Sequence, residues 1–219
     1  MGCDILNQSN RPVGYYENTR EEMLRYVSDG ARKTLEFGCG TGGFSAMLKD
    51  RLGTESWGVE INSTAANKAS KKLDKVIASD AMLALAEIPD DYFDCVIFFD
   101  VLEHLVDPYA LLETIKGKLS EKGVIIASIP NIRYYRILSD LVLRGNWDYK
   151  DHGVLDKTHL RFFTKKSIIK VFDRLGYDIL KIEGMHPTSS RTFSILNTIM
   201  LNRTSDVRYK HFAVVVRPK

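Results

Sequence analysis

The sequence predicts a doubly wound α/β domain built on a mostly parallel sheet. Three observations carry this expectation: short runs rich in Val, Ile and Phe recur along residues 34–129, stretches with helical spacing separate them, and a glycine-rich turn follows the first run. Strands buried on both faces read as continuous apolar runs, and strand–helix alternation at this pitch builds parallel neighbours. With 219 residues, 44% of them apolar, the chain is long enough to bury the core such a sheet needs.

The expected strands are Thr34–Phe37, Ser56–Val59, Lys75–Ala78, Asp94–Phe99 and Val124–Ile129. Between them Phe44–Leu52, Ser63–Leu73, Ala81–Ile88 and Pro108–Leu119 have helical spacing, with Asn62, Asp80 and Asp107 as N-caps. Beyond residue 130 the rhythm changes. Asn131–Leu143 and Lys165–Leu175 read as helices, Arg144–Phe163 has no period, and Tyr177–Glu183 and Arg208–Val216 read as two last strands able to pair antiparallel at one edge. A stretch as long as Arg144–Phe163 exceeds an ordinary connection, and such loops in compact domains are usually functional.

No repeat or linker divides the chain, so we read a single domain over 1–219, with an N-terminal cap segment at 1–32 and two halves, 33–130 and 131–219. The net charge of +3 conceals an asymmetry: residues 1–130 hold 14 Lys+Arg against 20 Asp+Glu, net −6, and 131–219 hold 17 against 8, net +9. That split points to different ligands for the two halves, against the blander reading of an uneven solvated surface. Cys3, Cys39 and Cys95 form no C-x-x-C pair, which argues against a disulfide framework or a structural zinc site and fits a reducing, cytoplasmic setting. Met1-Gly2-Cys3 opens the chain without the Ser or Thr of a myristoylation pattern, and neither a signal-peptide pattern nor an apolar run of about 18 residues is present.

The segment Thr34-Leu35-Glu36-Phe37-Gly38-Cys39-Gly40-Thr41-Gly42-Gly43-Phe44 ends the first strand and opens a helix. It satisfies both G-x-G-x-G and the dinucleotide pattern G-x-G-x-x-G, so the glycines alone do not separate the ligands. Glu36 does: a carboxylate near the mouth of the turn repels a pyrophosphate and attracts a cation. S-adenosylmethionine has no phosphate and carries a sulfonium and an ammonium. Glu60, 22 residues after Gly38, sits where an acidic residue takes ribose hydroxyls, and Asp80 follows the third strand.

These pieces resemble the class I S-adenosylmethionine-dependent methyltransferases. The matching motifs are Leu35-Glu36-Phe37-Gly38-Cys39-Gly40-Thr41-Gly42, Gly58-Val59-Glu60, Ser79-Asp80-Ala81, and Tyr92-Phe93-Asp94-Cys95-Val96-Ile97 leading into Asp100-Val101-Leu102-Glu103-His104-Leu105. The resemblance implies a seven-stranded Rossmann-like methyltransferase sheet with an antiparallel last strand, and it makes 33–130 the cofactor half. It implies that Glu36, Gly38, Cys39 through its backbone, Gly40 and Gly42 face the methionine part, Glu60 the ribose and Asp80 the adenine. Ile61, Ala81 and Asp100 complete the implied S-adenosylmethionine set, with S-adenosylhomocysteine as product. Tyr16 and Arg20, ahead of a helical run at Glu21–Val27, either close on the methionine carboxylate or form a surface helix cap.

Methyl transfer to a hydroxyl needs a positioned acceptor and removal of its proton, which points first to histidine. There are five: His104, His152, His159, His186 and His211. His104 follows the fourth strand at the carboxyl edge, where open α/β sheets bind ligands. The stretch Gly145–Thr164, with Leu155-Asp156-Lys157-Thr158-His159-Leu160-Arg161, resembles a subgroup of these methyltransferases associated with cell-surface polysaccharide biosynthesis. His152, Asp156 and His159 there read as a base with an orienting carboxylate, as a metal-ligand set or as a hydrogen-bonded loop shaping the pocket; no metal is expected. The basic 131–219 half favours an anionic small-molecule acceptor such as a nucleotide-sugar or lipid-linked glycan. The alternatives are RNA methylation, disfavoured without a nucleic-acid module, and an inactive binding protein. Ile132–Arg144 and Arg191–Arg203, apolar with basic flanks, suit either cap helices or peripheral contact with the inner membrane face.

Overall fold

The computed structural model describes residues 15–17, 19–190, 193, 197, 198 and 204–219. The expectations for Met1-Gly2-Cys3 lie outside the described residues, as does the run Arg191–Arg203 apart from 193, 197 and 198. Strands β1 (Lys33–Phe37), β2 (Glu55–Val59), β3 (Lys75–Ile77), β4 (Phe93–Phe99), β5 (Leu119–Pro130), β6 (Tyr177–Pro187) and β7 (Tyr209–Pro218) make one sheet in the order β3-β2-β1-β4-β5-β7-β6. The first five pair in parallel, and β7 is antiparallel to both of its neighbours, Val215 facing Ile126 of β5 and Val214 facing Ile182 of β6. The expected seven-stranded sheet with an antiparallel last strand is therefore present.

Among the described residues, the α-helices with defined bounds are α1 (Gly43–Leu52), α2 (Ser63–Ala69), α3 (Ala81–Ala84), α4 (Pro108–Ile115), α5 (Tyr135–Arg144) and α6 (Lys165–Arg174). All three expected caps form. The side chain of Asn62 accepts from the N–H of Ala65, Asp80 from Met82, and Asp107 from Tyr109 and Ala110. Several ends are shorter than their periodicity suggests. The Ala81–Ile88 run tightens into a 3-10 turn after Ala84, and Pro108–Leu119 does so after Ile115, ahead of Gly117. Asn131–Leu143 becomes helical only at Tyr135, and the Glu21–Val27 run is a 3-10 helix over Glu21–Tyr26. β5 begins at Leu119 rather than Val124 because a register shift opposite Phe93 and Cys95 accommodates Ser120–Gly123.

The period of two along β4 divides the core. Val96 and Phe98 join Leu35 and Phe37 on the face covered by α4 and α6, with Phe93 added to them across the register shift before Cys95, while Cys95, Ile97 and Phe99 meet Phe44 and Leu48 of α1 on the other. Met23 and Tyr26 of the N-terminal segment bury against that second face. β1 has β2 on one side and β4 on the other, so the strand order reverses there and opens a crevice at the carboxyl ends. Among the described residues no helix is long and apolar enough to cross a membrane.

Phe37 and Phe98 lock this switch point, their rings stacked with centroids 4.8 Å apart and planes 13° from parallel. Phe98→Ala is expected to cost about 3–5 kcal/mol of unfolding free energy, measured by denaturant titration, because a fully buried ring leaves a cavity.

Candidate active site

The glycine turn works through its backbone. Gly38, Gly40 and Gly42 have φ of 68°, 54° and 75°, a region costly for a side chain. A Cβ on Gly38 would lie 2.7 Å from Val101 Cγ2, so the missing side chain brings the turn against the loop after β4. One on Gly40 would lie 2.6 Å from the Tyr16 carbonyl oxygen. That carbonyl accepts from the N–H and hydroxyl of Thr41 at 3.0 and 3.1 Å, which seats the N-terminal cap segment on the turn. Cys39 contributes its N–H to the Val59 carbonyl at 3.2 Å, and its thiol is buried beside Gly58 with its pKa pushed up by that burial.

Two buried carboxylates flank the turn. Glu36 accepts from Ser45 Oγ at 2.6 Å, and burial raises its pKa to about 7 against the relief from that hydrogen bond. Glu60 accepts from the N–H groups of Gly40 and Asn62 at 2.9 and 2.8 Å, and burial raises its pKa as well. Both are held by neutral donors, so a ligand carrying ammonium and sulfonium charge supplies what they lack. Ile61, next to Glu60 in the chain, and Met82, whose N–H donates to Asp80, are each 40% exposed, apolar surface of the kind a flat adenine would cover. These observations fit S-adenosylmethionine. Asp80 spends one carboxylate oxygen on the cap of α3, next to half-buried Ala81.

Asp100 follows β4 directly with φ 54°, and Arg20 reaches it from a φ of 48°. Asp100 Oδ1 also accepts from Ser128 Oγ at 2.9 Å and lies 3.8 Å from His211 Nε2. Burial, then the charges of Arg20 and Lys210, drive the His211 pKa down to about 2, so this ring is neutral. His211 enters the sequence reading only as one of five histidines and Ser45 not at all, since the sequence gives neither side chain a partner.

The loop between α5 and α6 folds onto the 3-10 turn after β4. The N–H groups of Leu160 and Arg161 donate to the Glu103 carbonyl at 2.8 and 3.0 Å. This brings His159 to His104, ring centroids 4.6 Å apart and edge to face. His104 Nδ1 lies 3.0 Å from Thr158 Oγ1, which donates to Asp156 Oδ1 at 2.7 Å. Asp156 thus reaches His104 through Thr158, where the sequence suggested it as an orienter of His152 or His159. His152 is exposed. Glu103 is 1% exposed, its two carboxylate oxygens have no hydrogen-bond partner, and burial raises its pKa to about 8. The sequence places Glu103 in the motif Asp100-Val101-Leu102-Glu103-His104-Leu105 without assigning its side chain a role, and only the fold shows that side chain to be buried.

Two outcomes check this geometry. Gly40→Ala is expected to weaken S-adenosylhomocysteine binding at least tenfold by calorimetry, because the new methyl displaces Tyr16 rather than filling the ligand's path. For Glu36, folding favours the protonated form. Its neutral-form advantage is fully present below the usual carboxylate pKa near 4.5 and is lost as pH rises to about 7, at a cost of up to roughly 3 kcal/mol. The melting temperature of the ligand-free protein should therefore fall over that window, and Glu36→Gln should flatten the fall.

Comparison with known proteins agrees with the geometry. A family model described as a methyltransferase domain matches residues 10–182. A probable S-adenosylmethionine-dependent methyltransferase of Mycobacterium tuberculosis is 32% identical over 101 residues, 46% of this chain and 36% of that protein. A Haemophilus influenzae protein matches over 41% of its own length, so the chain spans about two fifths of these curated relatives. The ubiquinone biosynthesis O-methyltransferase of Psychrobacter arcticus is 26% identical over 82% of this chain and 71% of that protein. Among solved structures, a SAM-dependent methyltransferase from Archaeoglobus fulgidus superposes with a TM-score of 0.69 at 24% identity, covering 92% of this chain and 93% of that one. The glycine turn between β1 and α1, its acidic partners, the reversed strand order and the matched family model converge: the chain belongs to the methyltransferase-domain family, with S-adenosylmethionine as the cofactor which that membership implies.

Proposed function

We propose that the chain transfers a methyl group from S-adenosylmethionine to a hydroxyl oxygen of an anionic small molecule, a sugar of the kind used in polysaccharide biosynthesis. The observation that carries this reading is the cluster of Glu103, His104 and His159, held against the glycine turn by the contact of Gly38 with Val101. The relative named as an O-methyltransferase, which aligns over 82% of this chain, supports oxygen as the acceptor atom.

When bound, the cofactor supplies an electrophilic methyl: its C–S bond breaks with the electron pair going to sulfur, a C–O bond forms, and the hydroxyl proton leaves. The chain's part is to hold the acceptor in line and to favour loss of that proton. Glu103 and His159 Nε2 lie 3.8 Å apart, and both offer acceptor atoms to a hydroxyl. Arg20 and the partly buried Lys210 add positive charge beside Asp100 and His211, which suits an acceptor with phosphate or carboxylate. The exposed Leu141, Val142 and Leu143 at the basic end of α5 favour a lipid-linked form of that acceptor.

Titration calorimetry is expected to show binding of S-adenosylmethionine and S-adenosylhomocysteine but not NAD; binding of NAD alone would overturn the reading. Single-turnover transfer of labelled methyl to a panel of nucleotide-sugars and lipid-linked sugars then tests the acceptor. His159→Ala should slow that transfer about 10²–10⁴-fold with cofactor affinity unchanged. An equal loss in His152→Ala with none in His159→Ala would move the acceptor chemistry to the exposed part of the loop. Transfer should also weaken as salt rises, through the acceptor's KM.

A further inference from the structure

We propose that Glu103, His104 and His159 form a binding site for a single divalent transition-metal cation, with positions left open to the acceptor's oxygen; the acceptor part rests on the function proposed above, the metal part does not. One ligand atom from each side chain lies within 4.8 Å of the others. Glu103 is the anchor. Its carboxylate is 1% exposed, and neither oxygen has a hydrogen-bond partner, although its backbone carbonyl takes two. A buried carboxylate left this way is rare in folded proteins, because desolvation goes unrepaid.

Each imidazole has its Nδ1 directed at a backbone carbonyl oxygen. His159 Nδ1 lies 3.1 Å from the Val154 carbonyl oxygen, which can only accept, so that nitrogen carries the proton and Nε2 keeps its lone pair. Nε2 then faces Glu103 Oε1 at 3.8 Å, too far for a hydrogen bond. His104 Nδ1 lies 3.2 Å from the Thr158 carbonyl oxygen and 3.0 Å from Thr158 Oγ1. The Thr158 hydroxyl hydrogen is directed to Asp156 Oδ1 at 2.7 Å, so Thr158 also accepts from His104, and Nδ1 is the protonated nitrogen here too. An imidazole that donates one N–H to a backbone carbonyl, as both do here, has its tautomer fixed as a metal-binding histidine's usually is. A cation would supply the positive charge that the buried Glu103 carboxylate, with no hydrogen-bond partner, lacks.

Two imidazole nitrogens and one carboxylate suit Zn²⁺, Mn²⁺, Fe²⁺ or Co²⁺ and leave coordination positions for water or substrate. With Glu103 and His159 engaged as ligands rather than as direct acceptors from the hydroxyl, a cation there would acidify an incoming hydroxyl as it acidifies bound water, the hydroxyl's proton passing to solvent as the methyl arrives. Asp156 and Thr158 then act as positioning residues through His104.

The test uses the full chain, freed of metal by chelation and titrated with Mn²⁺ or Zn²⁺ alone, read by calorimetry and by the Mn²⁺ paramagnetic signal. We expect saturable binding of one cation per chain. Glu103→Gln and His159→Ala should lower its affinity at least tenfold, and Thr158→Val about 10–100-fold, the usual cost of losing a group that orients a ligand. S-adenosylhomocysteine affinity, unchanged in every variant, shows that each is folded. Absence of saturable binding by the wild type at millimolar metal would overturn the proposal, as would binding that Glu103→Gln and His159→Ala leave intact. Either result leaves cofactor binding and methyl transfer to be judged on their own titrations.

Discussion

The reversal of strand order at β1 is the constraint on which the rest of the molecule depends. Because β1 sends its connection toward β2 and takes β4 on its other side, the segments leaving these two strands diverge to opposite faces and cannot close over the sheet's carboxyl edge. Gly38 then sets how near the two edges of the crevice come. With no Cβ it admits Val101, and the turn carrying Glu103 and His104 follows two residues later.

Buried acid dominates the crevice. Glu36, Glu60 and Glu103 are each at most 5% exposed, and burial raises the pKa of all three. Carboxylates placed in this way weaken the fold at neutral pH, and ligands that bring positive charge return the stability by mass action. Asp100 differs, since Arg20 meets it directly. The pair ties the N-terminal segment to the end of β4, while Tyr16 ties the same segment to the glycine turn. Both residues of the pair adopt left-handed φ, backbone strain concentrated beside the crevice.

The long loop before α6 contributes less by its own shape than by where it docks. Two backbone N–H groups on the Glu103 carbonyl hold it, and buried Val154, Leu155 and Phe163 anchor its underside. The loop thereby joins the basic half of the chain to the acidic one at the point where cofactor and acceptor have to meet.

By itself the sequence determined the sheet, the glycine turn, the N-caps Asn62, Asp80 and Asp107 and the antiparallel end, because each depends on local spacing, on φ preferences or on a side chain reaching its own backbone. The tertiary structure decided the insertion of β7 between β5 and β6, the early ends of α3 and α4, and which polar residues converge. His152, Asp156 and His159 are near one another in the chain, yet Asp156 works through Thr158 on His104, and Glu103, given no role by its motif, is the carboxylate facing His159. His104 and Thr158 are 54 positions apart, and no period along the chain encodes a contact made only when a loop's N–H groups find one particular carbonyl.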